Sequence, residues 1–440
     1  MAVPNHRILT MMTLDELAGH VADARARSLD LMRDLSDGDL LGPKLDCVNP
    51  GRWEIGHHAW FQSQWVLRTA GGQDRVREDE DVLYDSMEID HDTRWDLPLP
   101  SRADTLTFVD TVLQRNLALL RSNPTDDIVF HSLYSTLHED MHTEALTYTR
   151  QTHGWPAPDL GIDIDPDDVE GGGDLPGDVE IPGGILQLGS SRDAPFAFDN
   201  EKWAHPVEIA PFRMARAAVT QAQFAEFVDA GGYKNSSHWA PEGWQWRQSQ
   251  EAEHPLHWRR NGDTWQRRHF DAWYDLEPHR PIIHINWFEA DAYCRWAGRR
   301  LPTEAEWETA AAVEPTQDGG LSTNKRPYPW GEDSPGPRVA NLDWHTMGTV
   351  DVGALPAGDS PWGCRQMIGN VWEWTSTDFG PYPGFEVDPY KDYSEPWFHT
   401  RKVMRGGCWT TRSRLIRTQY RNFMTPDRRD ILTGFRTCAI

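Results

Sequence analysis

Hydrophobic and polar positions follow two different patterns along this chain. Between residues 13 and 153 apolar side chains recur every three or four positions, the period of a helix with one buried face. In "TLDELAGHVADARARSLDLMRDL" they are Leu14, Leu17, Val21, Ala24, Leu29 and Leu31, with Thr13 or Asp15 placed to cap the first turn. "NPGRWEIGHHAWFQSQWVLRTAGG" begins after Asn49-Pro50 and stops at a glycine pair. "SRADTLTFVDTVLQRNLALLRSN" opens on Ser101 and closes near Asn123-Pro124, and residues 125–153 form a fourth segment. Four amphipathic helices with one long connection, 72–100, predict an all-α four-helix bundle over 10–153.

The pattern then changes. "GWPAPDLGIDIDPDDVEGGGDLPGDVE" is dense in Pro, Gly and Asp, and predicts a linker over 154–180. Beyond it, short runs such as "IPGGILQLG" and "HPVEIAPFRMARAAVT" have strand character, and helices are readable only at 220–230, 287–298 and 303–311. No internal repeat is visible. This predicts a loop-rich α+β domain over 181–440, so the chain is multidomain.

Composition narrows the functions. The 440 residues are 38% hydrophobic, enough for two cores, and most of the 22 tryptophans fall in 203–409. With 43 Lys+Arg against 68 Asp+Glu the formal charge is −25, a field that repels nucleic acid and anionic membrane surfaces. The start carries no apolar segment of signal-peptide length, and no run approaches the length of a membrane span. Five scattered cysteines form neither a C-x-x-C pair nor a disulfide framework, which reads as a reducing cytoplasm.

Histidines carry the candidate chemistry. In "LYSTLHEDMHTEALTYTR" His138 and His142 are four apart and project from one helix face, the spacing of a metal pair. In "WEIGHHAWF" His57 shares a face with Trp53 and Trp60 and points inward, and His58 lies about 100° away around the helix. A third histidine across a bundle makes a metal site. Unrelated structural histidines are the alternative. Three imidazoles without a thiolate suit Fe(II), Zn(II) or Cu(II) and leave positions open. Glu139 and Glu144 are expected to be solvated helix residues, with hydrogen bonding to the histidines' second nitrogens as the alternative.

The second half contains "IPGGILQLGS", "AFDNEKWAHPVEI", "PIIHINWFEADAYCRWAGRRLPTEAEWETAA", "YPWGE", "GNVWEWTSTDF", "VMRGGCWTT" and "YRNFMTPDRRDILTGFR". Over 180–438 this string resembles the formylglycine-generating-enzyme (sulfatase-modifying factor, C-type-lectin-like) fold. The first half resembles the DinB-like four-helix bundle. The two in this order resemble the ergothioneine sulfoxide synthase family, whose members use non-haem Fe(II) and O2 to join a sulfur or selenium donor to the imidazole of hercynine. Its W-x-x-x-H and H-x-x-x-H motifs match Trp53 to His57 and His138 to His142. The resemblance thus selects His57 over His58 and implies Fe(II) on His57, His138 and His142. A true formylglycine-generating enzyme has two cysteines five apart before "TPD". Ser413 and Thr418 stand there instead, and Cys408 falls too early.

The same resemblance places the organic substrates on the second half, around Asn422, Phe423 and Arg428, with Trp409 or Trp374 as further walls; Trp374 is expected to be core. The trimethylammonium of hercynine suits aromatic faces. Two positions depart from the thiol-using synthases: Met424 replaces an acidic residue and Met141 replaces a glutamine. A methionine cannot pair with a donor's ammonium. With "NPGRWEIGHHAWFQ" and "HDTRWDLPLPSR", these departures resemble the selenoneine synthase branch, which couples hercynine to a selenosugar. A thiol donor, cysteine or γ-glutamylcysteine, is the alternative, and a zinc-dependent thiol transferase a second one. The family's catalytic tyrosine matches Tyr382 or, by an ungapped match, Phe385. Tyr382 as a surface-loop residue stays open. Arg94, Arg102 and Arg428 have guanidiniums suited to a donor's anionic group; for Arg94 and Arg102 a surface salt bridge is the expectation and the anion contact the alternative, and for Arg428 both stay open.

Overall fold

The computed structural model describes residues 8–162, 169 and 172–440. Of the expected linker, 163–168, 170 and 171 lie outside the described residues. The chain divides into two compact units, Met1–Gly161 with Asp193–Phe196, and Ile162–Arg192 with Ala197–Ile440. The first is helical and the second is built of short strands and loops, the fold class that the sequence predicts. Among the described residues no helix is long and apolar enough to cross a membrane.

The helical unit is framed by four long helices. Helix α1, Leu14–Asp30, starts at a capping box in which Thr13 and Glu16 satisfy each other's backbone N–H. Helix α2, Gly51–Gln62, runs on as a π-helical segment to Ala70. Helix α3, Arg102–Arg121, is capped by Ser101. Helix α4, Asp126–His153, is capped by Thr125 and ends at Gly154, whose positive φ of 69° closes the helix C-terminus. The long connection holds a short helix, Glu80–Tyr84, that the pattern did not predict. Asp193–Phe196 also belongs to this unit, and the Phe196 ring lies 6.0 Å from that of Phe130 on α4.

α2 is not a surface helix with one apolar stripe. Every residue in it except Arg52 is buried, including Glu54, His57, His58 and Gln62. Such a helix needs polar partners inside the bundle. One group of partners ties α1 to α4. Arg25 Nε and Nη2 donate to the two oxygens of Glu139 at 2.7 and 3.1 Å, Ser28 Oγ donates to Glu139 at 2.8 Å, and Arg25 also reaches Val109 O and Gln62 Oε1. Glu139 and Glu144 are both buried, which corrects the expectation that they are solvated. For Glu139 the reason is tertiary: a guanidinium from another helix meets it inside the bundle.

In the second unit, eight short strands build two four-stranded sheets. They are β1 (Asp178–Ile181), β2 (Phe212–Ala215), β3 (Arg299–Arg300), β4 (Trp372–Asp378), β5 (Lys402–Arg405), β6 (Asn422–Met424), β7 (Thr433–Gly434) and β8 (Cys438–Ala439). One sheet runs β1-β2-β8-β3, all antiparallel; the other runs β6-β5-β4-β7, with β4 and β7 parallel. In its register Lys402 faces Met424, Val403 faces Phe423 and Met404 faces Asn422. Helices α5 (Gln221–Asp229), α7 (Trp287–Trp296) and α8 (Glu304–Ala312) fall where the pattern puts them. Helix α6, Pro241–Ser249, was not predicted, because only Gly243 in it is buried and it shows no apolar stripe.

The interior of this unit is rich in paired charge. Glu304 accepts from Arg421 at 2.9 and 3.0 Å, Glu308 from Arg405 and Lys325 at 2.6 Å each, and Glu373 from Arg436 at 2.7 Å on both oxygens. Trp374 is fully buried and donates to Ile285 O at 3.1 Å, the core role expected of it. Glu201 is also buried, and its side chain accepts from Ser190 Oγ at 3.0 Å. Burial pushes its carboxyl up to about 7.

Two predictions follow from these buried carboxyls. Glu139→Ala leaves the Arg25 guanidinium buried and unpaired, and should lower the unfolding free energy by about 3–5 kcal/mol in urea titrations. For Glu201, a folded-state value above the unfolded one means that the folded chain holds the extra proton. Its contribution to stability therefore falls as pH rises from about 4.5 to about 7, by about 3 kcal/mol in all. Glu201→Gln should gain stability relative to the native protein across that window. A difference between the two proteins that does not change with pH would contradict this.

Candidate metal centre

α2 and α4 bring three imidazoles together. His57, His138 and His142 each offer a nitrogen, all within 4.8 Å of one another. Their ring centroids are 5.3 Å (His57–His138), 5.1 Å (His57–His142) and 4.4 Å (His138–His142) apart. His57 is stacked on Trp53 at 4.9 Å and 8°, as the shared helix face predicts, and His138 on Phe61 at 3.7 Å and 9°.

For two of the rings a hydrogen bond selects the nitrogen that is presented. His57 Nδ1 is 2.9 Å from Tyr84 O, and a carbonyl accepts only from a protonated Nδ1, so Nε2 keeps its lone pair. Gly56 makes that contact reachable: a Cβ there would come within 2.2 Å of the Tyr84 ring. His142 Nδ1 is 2.5 Å from Glu54 Oε1. Its Nε2 is then the free edge, 3.1 Å from His138 Nε2. Two imidazole nitrogens about 2.1 Å from one ion and near a right angle lie at about that separation.

Charge agrees with geometry. Burial, reinforced by His142, holds His57 down to about 3 and His138 well below the usual imidazole range. Both are neutral near pH 7, the form that binds metal. Burial alone would raise the Glu54 carboxyl, but His142 beside it outweighs that and holds it below the usual range. Neutral imidazoles with one carboxylate behind them are a donor set for a divalent cation.

Glu54 escaped the sequence reading. It lies three residues before His57 on α2, yet its partner is on α4, and no spacing reveals that. Behind it, Asn49 Nδ2 donates to Glu54 Oε2 at 2.8 Å and Arg94 Nη1 donates to Asn49 Oδ1 at 2.7 Å. The Arg94 guanidinium lies 4.0 Å from the centre of the Trp53 ring. Arg94 is thus buried behind the centre, not paired on the surface as expected, because Trp53 and Asn49 draw it in. Arg102 donates to Leu35 O and Arg33 O at 2.7 and 3.0 Å, closing carbonyls just beyond α1. Met141 is half-buried on α4. His58 is buried, and among the described residues neither of its ring nitrogens has a hydrogen-bond partner; the Glu139 carboxylate lies 3.8 Å from Nδ1. Glu54, His58 and His142 form a second set of converging donors.

The remaining candidates lie in the second unit. Asn422, Phe423 and Met424 make up β6. Phe423 is stacked on Phe379 at 3.9 Å and has Tyr393 at 5.9 Å. Arg428 donates through Nε and Nη2 to both oxygens of Asp430 at 2.6 Å, and its Nη1 is 3.9 Å from Met424 Sδ. Its two-pronged edge is therefore already engaged by a carboxylate of the chain. Tyr382 is not a surface-loop residue: it is buried, its hydroxyl donates to Glu304 at 3.2 Å, and Arg421 lies 4.0 Å from its ring centre. Phe385 is half-buried, edge-on to Phe398 at 5.2 Å. Trp409 is buried against His269 and Phe270. Thr418 Oγ1 donates to Arg326 O, and the backbone N–H of Ser413 donates to the Asp343 carboxylate.

Comparison with known proteins decides the family. The DinB superfamily model matches residues 20–146, and the sulfatase-modifying factor enzyme 1-like domain matches 166–439. Hercynine oxygenase of Mycolicibacterium smegmatis is 35% identical over 437 residues, covering 97% of this chain and 99% of that protein. The chain belongs to the hercynine oxygenase family. It is accordingly an enzyme. Likeness to the formylglycine-generating enzyme of Streptomyces coelicolor, 33% identical, covers 60% of this chain and 88% of that one. The solved structure of PvdO from Pseudomonas aeruginosa is 22% identical, with a TM-score of 0.40 over 63% of this chain and 97% of that one. For this member of the hercynine oxygenase family, Glu54→Gln is expected to weaken Fe(II) or Co(II) binding about 10–100-fold in calorimetric titration. His142→Ala should abolish binding, and His58→Ala should leave it within threefold. Loss of the ion in His58→Ala would transfer the site to the other donor set.

Proposed function

We propose that this chain is a non-haem Fe(II), O2-dependent enzyme that forms a carbon–selenium bond between the imidazole of hercynine and a selenosugar. The single observation that carries the metal reading is the convergence of three imidazoles, two of which, His57 and His142, have Nδ1 engaged by Tyr84 O and Glu54. Hercynine as substrate is carried by likeness to hercynine oxygenases over nearly the whole chain.

Bound on His57, His138 and His142, Fe(II) would supply the one-electron chemistry that O2 requires. The chain's part is to hold those rings. Tyr84 O and Glu54 fix the tautomers and orientations of His57 and His142, and Asn49 and Arg94 hold Glu54 in turn. In the second domain, proposed as 181–440 after a bundle of 10–153 and a linker of 154–180, Phe423, Phe379 and Tyr393 offer aromatic faces of the kind that a trimethylammonium prefers. The hydroxyl of Tyr382 is the proton source proposed for the reaction, with Phe385 as the alternative match and Trp409 and Asn422 as further substrate contacts. Met424 next to Phe423 presents a polarisable sulfur and no charge, and Met141 does the same on α4. A donor without an amino group needs no carboxylate at position 424, which supports the selenosugar. All five cysteines are free, which supports a reducing, cytoplasmic setting.

The second reading is a carbon–sulfur bond to cysteine or γ-glutamylcysteine, favoured by the relatives named hercynine oxygenase. Competition decides between them: iron-loaded protein, hercynine and air, with selenosugar, cysteine and γ-glutamylcysteine offered together and products read by mass spectrometry. The expected main product carries selenium. A sulfoxide as main product would establish the second reading. Met424→Asp should raise the share of the amine-bearing thiols about tenfold, the worth of one charge-assisted hydrogen bond; an unchanged ratio would remove Met424 from donor choice.

A further inference from the structure

In a chain of charge −25, the deeply buried arginines of the second unit are matched with carboxylates. Arg405, Arg421, Arg429 and Arg436 each pair with glutamates of the same unit. Arg401 departs from this. It is half-buried, and among the described residues it makes no ion pair. Its side-chain hydrogen bonds are from Nη1 to Thr400 O at 3.3 Å and Thr400 Oγ1 at 3.1 Å. Its guanidinium is held 4.8 Å from the centre of the Trp397 ring, an exposed aromatic that orients a planar cation without neutralising it.

Its place in the fold gives the cation a use. Arg401 directly precedes β5, and its carbonyl accepts from Phe379 N–H at 2.8 Å. Phe379 is the ring stacked on Phe423. In the adjoining register Lys402 stands opposite Met424 and Val403 opposite Phe423. Arg428, after β6, is a second cation acting on Arg401, and among the described residues the acid that acts on it is Asp427, which is exposed and beyond ion-pair distance. Burial lowers the guanidinium's affinity for its proton, and Arg428 adds to this by repulsion. A half-buried cation so placed gains most from an external anion.

We propose that Arg401 is the anchor for an anionic group, a carboxylate or a phosphate, on a substrate that lies along β6. The proposal rests on reading β6 as part of the substrate site, and makes Arg401, beside Arg428, a specificity-determining residue. Arg428 is largely engaged by Asp430, so Arg401 provides the donors that Arg428 has already committed. Hercynine's own carboxylate and an anionic group on the donor share this chemistry.

Arginine modification tests it without turnover. The iron-loaded full chain is treated with phenylglyoxal, and the rate at Arg401 is read by peptide mass spectrometry with no addition, with inorganic phosphate, with acetate, with hercynine and with each donor. Arg401 should react readily alone and several-fold more slowly with phosphate or acetate. Protection at the lowest concentration by hercynine would identify its carboxylate as the ligand, and protection by a donor would identify the donor's anion. No protection by any of the additions would overturn the proposal. In steady-state assays Arg401→Gln should raise the KM of the protecting substrate about tenfold at nearly constant kcat, with Arg401→Lys intermediate. Unchanged KM would also overturn it. Absence of any chalcogen adduct would sink the proposed reaction and leave the protection result standing.

Discussion

The contact between Glu54 and His142 is the one on which the centre depends. A carboxylate from α2 reaches the Nδ1 of an imidazole on α4, so that one short hydrogen bond joins two helices, sets a tautomer and aims Nε2 at its neighbours. Its Glu54 end lies inside a helix that is buried on all sides, where the carboxylate is shielded from water. The same burial keeps the other imidazoles uncharged. Desolvation is thus the shared cause of the fold's polar interior and of the metal-binding form of its histidines.

Both units pair charge where a simpler protein would pack hydrocarbon. Arg25 with Glu139 in the helical unit, and Arg421 with Glu304, Arg405 with Glu308 and Arg436 with Glu373 in the other, are buried ion pairs with several hydrogen bonds each. Such pairs add little net stability over an apolar core, but breaking one leaves an unpaired charge. In a loop-rich unit with short strands they specify which segments meet: Arg421 brings the segment before β6 to the start of α8, and Arg436 brings the last strand's approach to β4. The aromatic wall at Phe423 is held on this frame.

Relatives with the second domain but a different activity show that the fold does not dictate the reaction. In this chain the positions that would carry two thiols hold Ser413 and Thr418, and the Thr418 hydroxyl is engaged by Arg326 O. In the proposed reaction the bundle histidines and the β6 residues supply other chemistry. The arginines teach a related lesson. Arg94 and Arg428 look alike as residues able to grip an anion, yet the structure commits Arg94 to Asn49 and Trp53, and Arg428 to Asp430. Arg401, which no motif marks, has no carboxylate at ion-pair distance among the described residues and lies beside the aromatic wall of β6.

Much was legible in the residues alone. The 3.6-residue period set the four long helices, capping residues such as Thr13, Ser101 and Thr125 marked their starts, and His138 with His142 had to share a face because a helix turns by a fixed angle per residue. The aromatic face carrying Trp53 and His57 was equally local. Relations between distant segments were not legible. That Glu139 is buried, that Glu54 answers His142 across two helices, that Tyr84 O holds His57, and that residues 193–196 join the helical unit are set by packing. Period and propensity describe one element at a time. Which buried polar group meets which is decided only when the elements exclude water together and each donor and acceptor must find its partner inside.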